Sequence, residues 1–87
     1  MFYYVYVLLS LKDKKFYIGF SENIEKRLLE HNSGKVKSTK NRKPFRLLCY
    51  EAYLTKSEAL AREKYLKSSD ARKEFKIRLK KTLGSVA

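Results

Sequence analysis

The chain has 87 residues, enough for one small domain and too few for a second core. Twenty-one Lys and Arg stand against nine Asp and Glu, a formal net charge of +12; that surplus costs self-repulsion in the folded state and points to a polyanionic partner. Seven Tyr, five Phe and 44% hydrophobic residues argue against disorder, and a single cysteine, Cys49, excludes a disulfide framework and fits a reducing cytosol. No apolar run approaches the ~20 residues that span a bilayer, so no membrane partner is expected. The apolar stretch from Phe2 to Leu9 has no basic flank and no small-residue cleavage site, and is not read as a signal peptide. The expectation is a cytoplasmic, strongly basic single domain over residues 1–87.

Residues Phe2 to Ser10, rich in aromatic and β-branched side chains, read as a strand buried on both faces. Leu11 to Lys15 is a polar turn and Phe16 to Phe20 a second strand, so the two make a β-hairpin. Ser21 offers an N-cap for a helix that carries Ile24 and Leu28 at helical spacing, and Gly34 supplies its stop. After a loop over 35–44 that is closed by Pro44, Phe45 to Tyr50 is a third strand, with an extension to Tyr53 in reach. Thr55 and Glu58 form a capping box, so a second helix runs from there to about Lys67. Ser68 or Ser69 caps a last helix that ends before Gly84. The order β-β-α-β-α-α predicts an α+β fold, a small antiparallel sheet of three strands flanked by helices.

Amphipathicity shows which polar residues face the wrong way. With ~100° per residue and Ile24 at zero, Leu28 lies at about +40°, His31 at about −20° and Arg27 at about −60°. Arg27 and His31 therefore share the arc that should meet the core. On the second helix, with Ala59 at zero, Leu66 lies at about −20° and Glu63 at about +40°, in the middle of the apolar face. Ordinary roles exist for each: Arg27 can snorkel, His31 can sit at a helix end, and Glu63 can pair with Lys67. A carboxylate at a core edge is otherwise a metal ligand, or a general acid or base.

Parity adds the tyrosines. A two- or four-residue hairpin turn puts Tyr6 and Tyr17 on one face of the sheet; with four residues, Tyr17 opposes Leu8 and is a diagonal neighbour of Tyr6. A three-residue turn would separate them. Two tyrosines, an arginine, a histidine and a glutamate, all turned inward, are hard to assign jointly to packing.

This arrangement resembles the GIY-YIG nuclease superfamily. Tyr4-Val5-Tyr6 stands in the place of GIY, and Tyr17-Ile18-Gly19 is YIG unchanged. Arg27 and His31 follow within Asn23 to Gly34, and Glu63 lies within Glu58 to Lys67. The closest likeness is to short stand-alone bacterial members. More distantly, the chain is similar to the N-terminal nuclease domain of the excision-repair endonuclease and to homing-endonuclease catalytic domains. Tyr4 in the place of the first glycine is expected to add bulk beside the site, and no attached DNA-binding domain is expected.

The resemblance implies metal-dependent endonuclease activity on nucleic acid, DNA favoured over RNA, in repair or recombination. It implies one divalent metal, Mg²⁺ or Mn²⁺, with Glu63 its sole protein ligand and waters in the other positions. Tyr6 or Tyr17 would deprotonate the attacking water, Arg27 would hold the scissile phosphate, and His31 would orient a tyrosine hydroxyl. Gly19 would keep a side chain away from the approaching phosphate backbone.

Residues 35–46 hold six positive side chains and no acid: Lys35, Lys37, Lys40, Arg42, Lys43 and Arg46. This loop is expected to grip phosphates without sequence preference. The stretch from Arg62 to Lys81 adds nine more positives, mixed with three acids. The competing expectation is a catalytically idle nucleic-acid-binding module of the same fold; a small RNA-associated protein is the third, and no RNA motif supports it.

Overall fold

The computed structural model describes residues 1–86. Three strands, β1 (Tyr3–Ser10), β2 (Phe16–Ser21) and β3 (Phe45–Tyr53), form one antiparallel sheet in the order β2-β1-β3. The helices are α1 (Ile24–Asn32), α2 (Lys56–Leu66), α3 (Ser69–Arg78) and α4 (Lys80–Val86). The α+β class and the order through α3 are as expected. As the central strand, β1 is buried continuously from Val5 to Ser10, which is why its sequence reads as an apolar run rather than an alternation. Among the described residues no helix is long and apolar enough to cross a membrane.

Hairpin geometry decides which side chains share a face. Leu9 pairs with Phe16, and the Ser10 amide donates to the Lys15 carbonyl at 3.0 Å, leaving a four-residue loop over 11–14. The Ser10 hydroxyl accepts the Lys12 and Asp13 amides, and Lys14 takes the positive φ of 61° that closes the turn. Leu8 therefore opposes Tyr17 and Tyr6 opposes Gly19. One face of the sheet, carrying Val5, Val7, Leu9, Phe16 and Ile18, packs against Ala59, Leu66, Ala71 and Phe75 of the C-terminal helices. On the other face Tyr6, Leu8 and Phe45 are buried, with Tyr17, Leu28 and Leu47 around them. A fully buried side chain of this kind contributes about 1.5–3 kcal/mol, so the larger face dominates stability.

Two helix ends depart from the sequence expectation. Asn23, not Ser21, is the N-cap of α1: its side chain accepts the Lys26 amide at 3.1 Å, while Ser21 Oγ accepts the Asn23 amide and shapes the turn before it. The expected single last helix is instead two. α3 ends at Arg78 with Leu79 as its C-cap, and α4 runs through Gly84 rather than stopping before it. Leu79 and Leu83 pack against the main core, and that burial outweighs the ~1 kcal/mol that glycine costs inside a helix.

Other signals hold. At the end of α1, Gly34 has φ +80°, its amide donates to the His31 carbonyl, and Lys35 donates to Glu30. This is a Schellman end, and the left-handed conformation needs glycine. Thr55 caps α2 by accepting the Glu58 amide at 3.3 Å, and its hydroxyl donates to the Glu58 carboxylate. Ser68 caps α3. Residues 33–44 have no regular structure but are pinned to the hairpin turn. The Leu11 amide donates to the Pro44 carbonyl at 2.8 Å, and the Ser10 hydroxyl to the Arg42 carbonyl.

Candidate active site

The smaller sheet face gathers most of the polar residues singled out in the sequence. His31, from the last turn of α1, has no exposed surface. Its Nε2 lies 2.9 Å from the Tyr6 hydroxyl and its Nδ1 2.8 Å from Thr39 Oγ1. Tyr17, Tyr6 and Phe45 surround the imidazole at ring-centroid distances of 5.0, 5.8 and 5.7 Å. Burial, and then the charge of Arg27, lowers the His31 pKa to about 4. The ring is therefore neutral at pH 7, with one nitrogen a donor and the other an acceptor.

Tyr6 is 2% exposed. Burial pushes its pKa up to about 12; the neighbouring Tyr17 and Glu63 act in the same direction, and Arg27 opposes them. The Arg27 guanidinium lies beside the phenol and is held further in its charged form by it. Arg27 also pairs with Glu30 at 3.2 Å. It lines a groove of about 340 Å³ with Asn23 and Lys26, which brings the site to solvent. Glu63 has a side chain 20% exposed and pairs with Lys67 at 3.4 Å. Glu63 thus makes the expected pair along the helix, and its charge also reaches Tyr6.

Gly19 lies against Tyr6: a Cβ there would overlap the ring and hydroxyl of the tyrosine, so the missing side chain makes room for it. Gly19→Ala is expected to cost about 1–3 kcal/mol and to push the phenol off His31, lowering the melting temperature. An unchanged melting temperature would show that the ring has room to move.

The buried histidine also sets a pH dependence. Its folded-state pKa lies below the ordinary 6.5, so as pH falls the unfolded chain takes up the proton first. Its contribution is fully present above about pH 6.5 and is lost as pH falls toward about 4, by up to about 3 kcal/mol. Urea denaturation between about pH 6.5 and about 5, above the range where Asp13 and Glu51 contribute, should show the slope, and His31→Gln, which removes the only histidine, should lack it there.

Sequence reasoning missed Thr39 and Asn32. Thr39 has no exposed surface and holds the far nitrogen of His31; in a run of lysines nothing marked it. The Asn32 side chain bonds the Phe45 backbone in both directions, at 2.6 and 3.1 Å, fixing α1 to β3. Among the basic-loop candidates, Arg42 is engaged elsewhere. It pairs with Asp13, donates to the Lys15 and Phe16 carbonyls and stacks on Phe45. Lys35, Lys37, Lys40, Lys43 and Arg46 are exposed and make no ion pair among the described residues.

Residues 2–77 match the family described as the GIY-YIG catalytic domain. The chain belongs to the GIY-YIG family. Similar relatives include a UPF0213 protein of Staphylococcus saprophyticus, 41% identical over 76 residues, covering 86% of this chain and 92% of the relative. A UPF0213 protein of Bacillus licheniformis is 47% identical over 66 residues, 75% and 67% of the two chains. The solution NMR structure of a UPF0213 protein from Bacillus halodurans is 39% identical with a TM-score of 0.55, covering 92% of this chain and 86% of that one. The matched span contains all six of Tyr6, Tyr17, Gly19, Arg27, His31 and Glu63.

In this GIY-YIG domain Tyr4, in the place of the first glycine, stands edge-on to Tyr50 with centroids 5.7 Å apart. The two line a second groove, of about 480 Å³, with Ile24 and Leu47. The donor set around Glu63 also constrains the metal. No group of three or more His, Cys, Asp or Glu side chains converges among the described residues, which does not suit Zn²⁺. A single carboxylate such as Glu63 would fit a cation that keeps much of its hydration shell, as Mg²⁺ does.

Proposed function

We propose that this GIY-YIG domain is a metal-dependent endonuclease that hydrolyses phosphodiester bonds in nucleic acid, with DNA favoured over RNA. The observation that carries the reading is the convergence on Tyr6: His31 bonded to its hydroxyl, Arg27 beside it and the charge of Glu63 within reach. A phenol raised to about 12 is protonated at pH 7, so Tyr6 does not start as a phenolate. It relays instead. As the water oxygen bonds to phosphorus, the water proton passes to the Tyr6 oxygen and the Tyr6 proton to His31 Nε2, a ring whose low basicity in the free protein is raised by the negative charge of the bound phosphate, while the bond from phosphorus to the leaving oxygen breaks and that oxygen departs as an alkoxide. Arg27 meets the charge that develops on the phosphoryl oxygens, where a planar fork is well matched. Glu63 would hold a divalent cation, Mg²⁺ or Mn²⁺, which supplies positive charge to the phosphate and acidifies bound water. Tyr17, packed edge-on to His31, supports that ring. Of the two tyrosines, Tyr6 is favoured as the base because it alone bonds His31.

The exposed lysines of residues 35–43 supply a grip on the backbone that does not depend on sequence, and the reading places the protein in repair or recombination. Labelled duplex, flap, junction and single-stranded DNA, with RNA alongside, should be cut in Mg²⁺ and spared in EDTA. Tight binding without any cutting would replace this reading by the idle module. Replacing Lys37 and Lys40 by Ala is expected to weaken binding equally for all sequences and to reduce the slope of log K against log salt by about 1 for each phosphate no longer neutralised. Arg42→Ala should lower the melting temperature and leave that slope unchanged. If Arg42→Ala reduced the slope as much as the lysine changes, its assignment to the hairpin would be wrong.

A further inference from the structure

We infer that Thr39 is a positioning residue that fixes the tautomer of His31, keeping Nε2 free to accept the Tyr6 proton. The inference rests on the relay proposed above and adds the group that aims it. Two ends of one hydrogen-bond chain agree on the direction. At the Tyr6 end, His31 Nε2 is the phenol's hydrogen-bond partner. Of the charged groups that act on that phenol, Arg27 carries donors only, and Glu63 acts through its charge without a hydrogen bond to the hydroxyl. The tyrosine proton therefore has Nε2 as its acceptor. At the other end, Thr39 Oγ1 lies 2.8 Å from His31 Nδ1 and 3.4 Å from the Val36 carbonyl, which can only accept. With the hydroxyl proton turned to Val36, the oxygen is left to accept Nδ1–H. The chain thus runs Tyr6 O–H to Nε2, Nδ1–H to Thr39, and Thr39 O–H to Val36. Which imidazole nitrogen carries the proton is set by the bond the other one makes.

Thr39 is well placed to enforce this. It has no exposed surface. Its amide donates to the Val36 carbonyl at 3.1 Å, and its own carbonyl accepts the Arg42 amide at 2.9 Å. Arg42 is in turn tied to the hairpin turn. The loop that carries the exposed lysines therefore also holds a rigid hydroxyl against the buried histidine, which explains a buried polar residue in an otherwise solvated segment.

The test begins with His31, the only histidine, in ¹⁵N-histidine-labelled protein near neutral pH. Wild-type protein is expected to show Nδ1 protonated and Nε2 bare. Thr39→Val removes the hydroxyl at nearly constant shape and should move the proton toward Nε2, and Thr39→Ser should restore the wild-type pattern. On magnesium-dependent cleavage, Thr39→Val should lower kcat on the order of 10- to 100-fold with KM little changed, as for other groups that orient a functional histidine from behind; Thr39→Ser should recover most of it. A wild-type ring protonated on Nε2, or a Thr39→Val ring that keeps the wild-type pattern, overturns the inference whether or not the chain cuts nucleic acid. A shifted tautomer with unchanged kcat overturns the role of Thr39 while leaving the nuclease reading intact. Should Thr39→Val fail to fold, the wild-type spectrum and Thr39→Ser still decide.

Discussion

Tyr6→Phe is expected to lower the cleavage rate on the order of 10²- to 10⁴-fold, the range a positioned acid–base group supplies. The change removes one oxygen and keeps the ring that fills the space above Gly19, so the sheet and the placement of Arg27 should persist. Stability should fall, because His31 Nε2 loses its partner in a site with no exposed surface; such a loss costs about 1–3 kcal/mol. Single-turnover rates measured well below the melting temperature separate the two effects. Substrate affinity should hardly change, since the 2% exposed phenol offers little surface to bind. Tyr17→Phe is the informative control. If it abolishes cutting while Tyr6→Phe does not, the two tyrosines exchange roles and the relay through His31 fails.

Glu63→Gln is expected to remove the response to magnesium. A bound divalent cation contributes several kcal/mol of transition-state stabilisation, which corresponds to a loss on the order of 10³-fold or more. Little stability should be lost with it. The only ion pair Glu63 makes among the described residues is with Lys67, whose side chain is 51% exposed, and such pairs are worth about 0–1 kcal/mol. A melting temperature close to wild type, with cleavage gone, is therefore the expected signature. A large fall in stability would instead make Glu63 a structural residue of α2.

The parts of this site visible in the sequence were those fixed by periodicity. Two-residue alternation across a four-residue turn is enough to bring Tyr6 and Tyr17 to one face, and the structure pairs Leu8 with Tyr17 accordingly. Helical spacing likewise turns Arg27, His31 and Glu63 inward. What escaped depends on contacts between segments distant in sequence. Thr39 meets His31 across an irregular loop, where no period links residue to residue. Arg42 looks like any other charge in a basic run until the hairpin turn places Asp13 and two carbonyls around it. Gly19 faces Tyr6 across the strand pair, and the ring lies against it. The break between α3 and α4 follows from where Leu79 and Leu83 pack, which local propensity does not encode.

The charge surplus of +12 resolves into separate tasks. Arg42 holds the loop to the hairpin, Arg62 ties α2 to β3 through Glu51 at 2.9 and 3.1 Å, and the lysines of residues 35–43 are exposed and make no ion pair among the described residues. Arg27 lies beside the Tyr6 phenol. Tyr6, His31, Arg27 and Glu63 are proposed to form one metal-dependent centre. Its most direct test is a single-turnover cleavage assay on one labelled DNA, comparing wild type and Glu63→Gln across a magnesium titration that includes EDTA. Cutting by wild type that rises with magnesium, vanishes in EDTA and is absent from a folded Glu63→Gln protein is the predicted result. Cutting in EDTA, or a Glu63→Gln protein as fast as wild type, would contradict it.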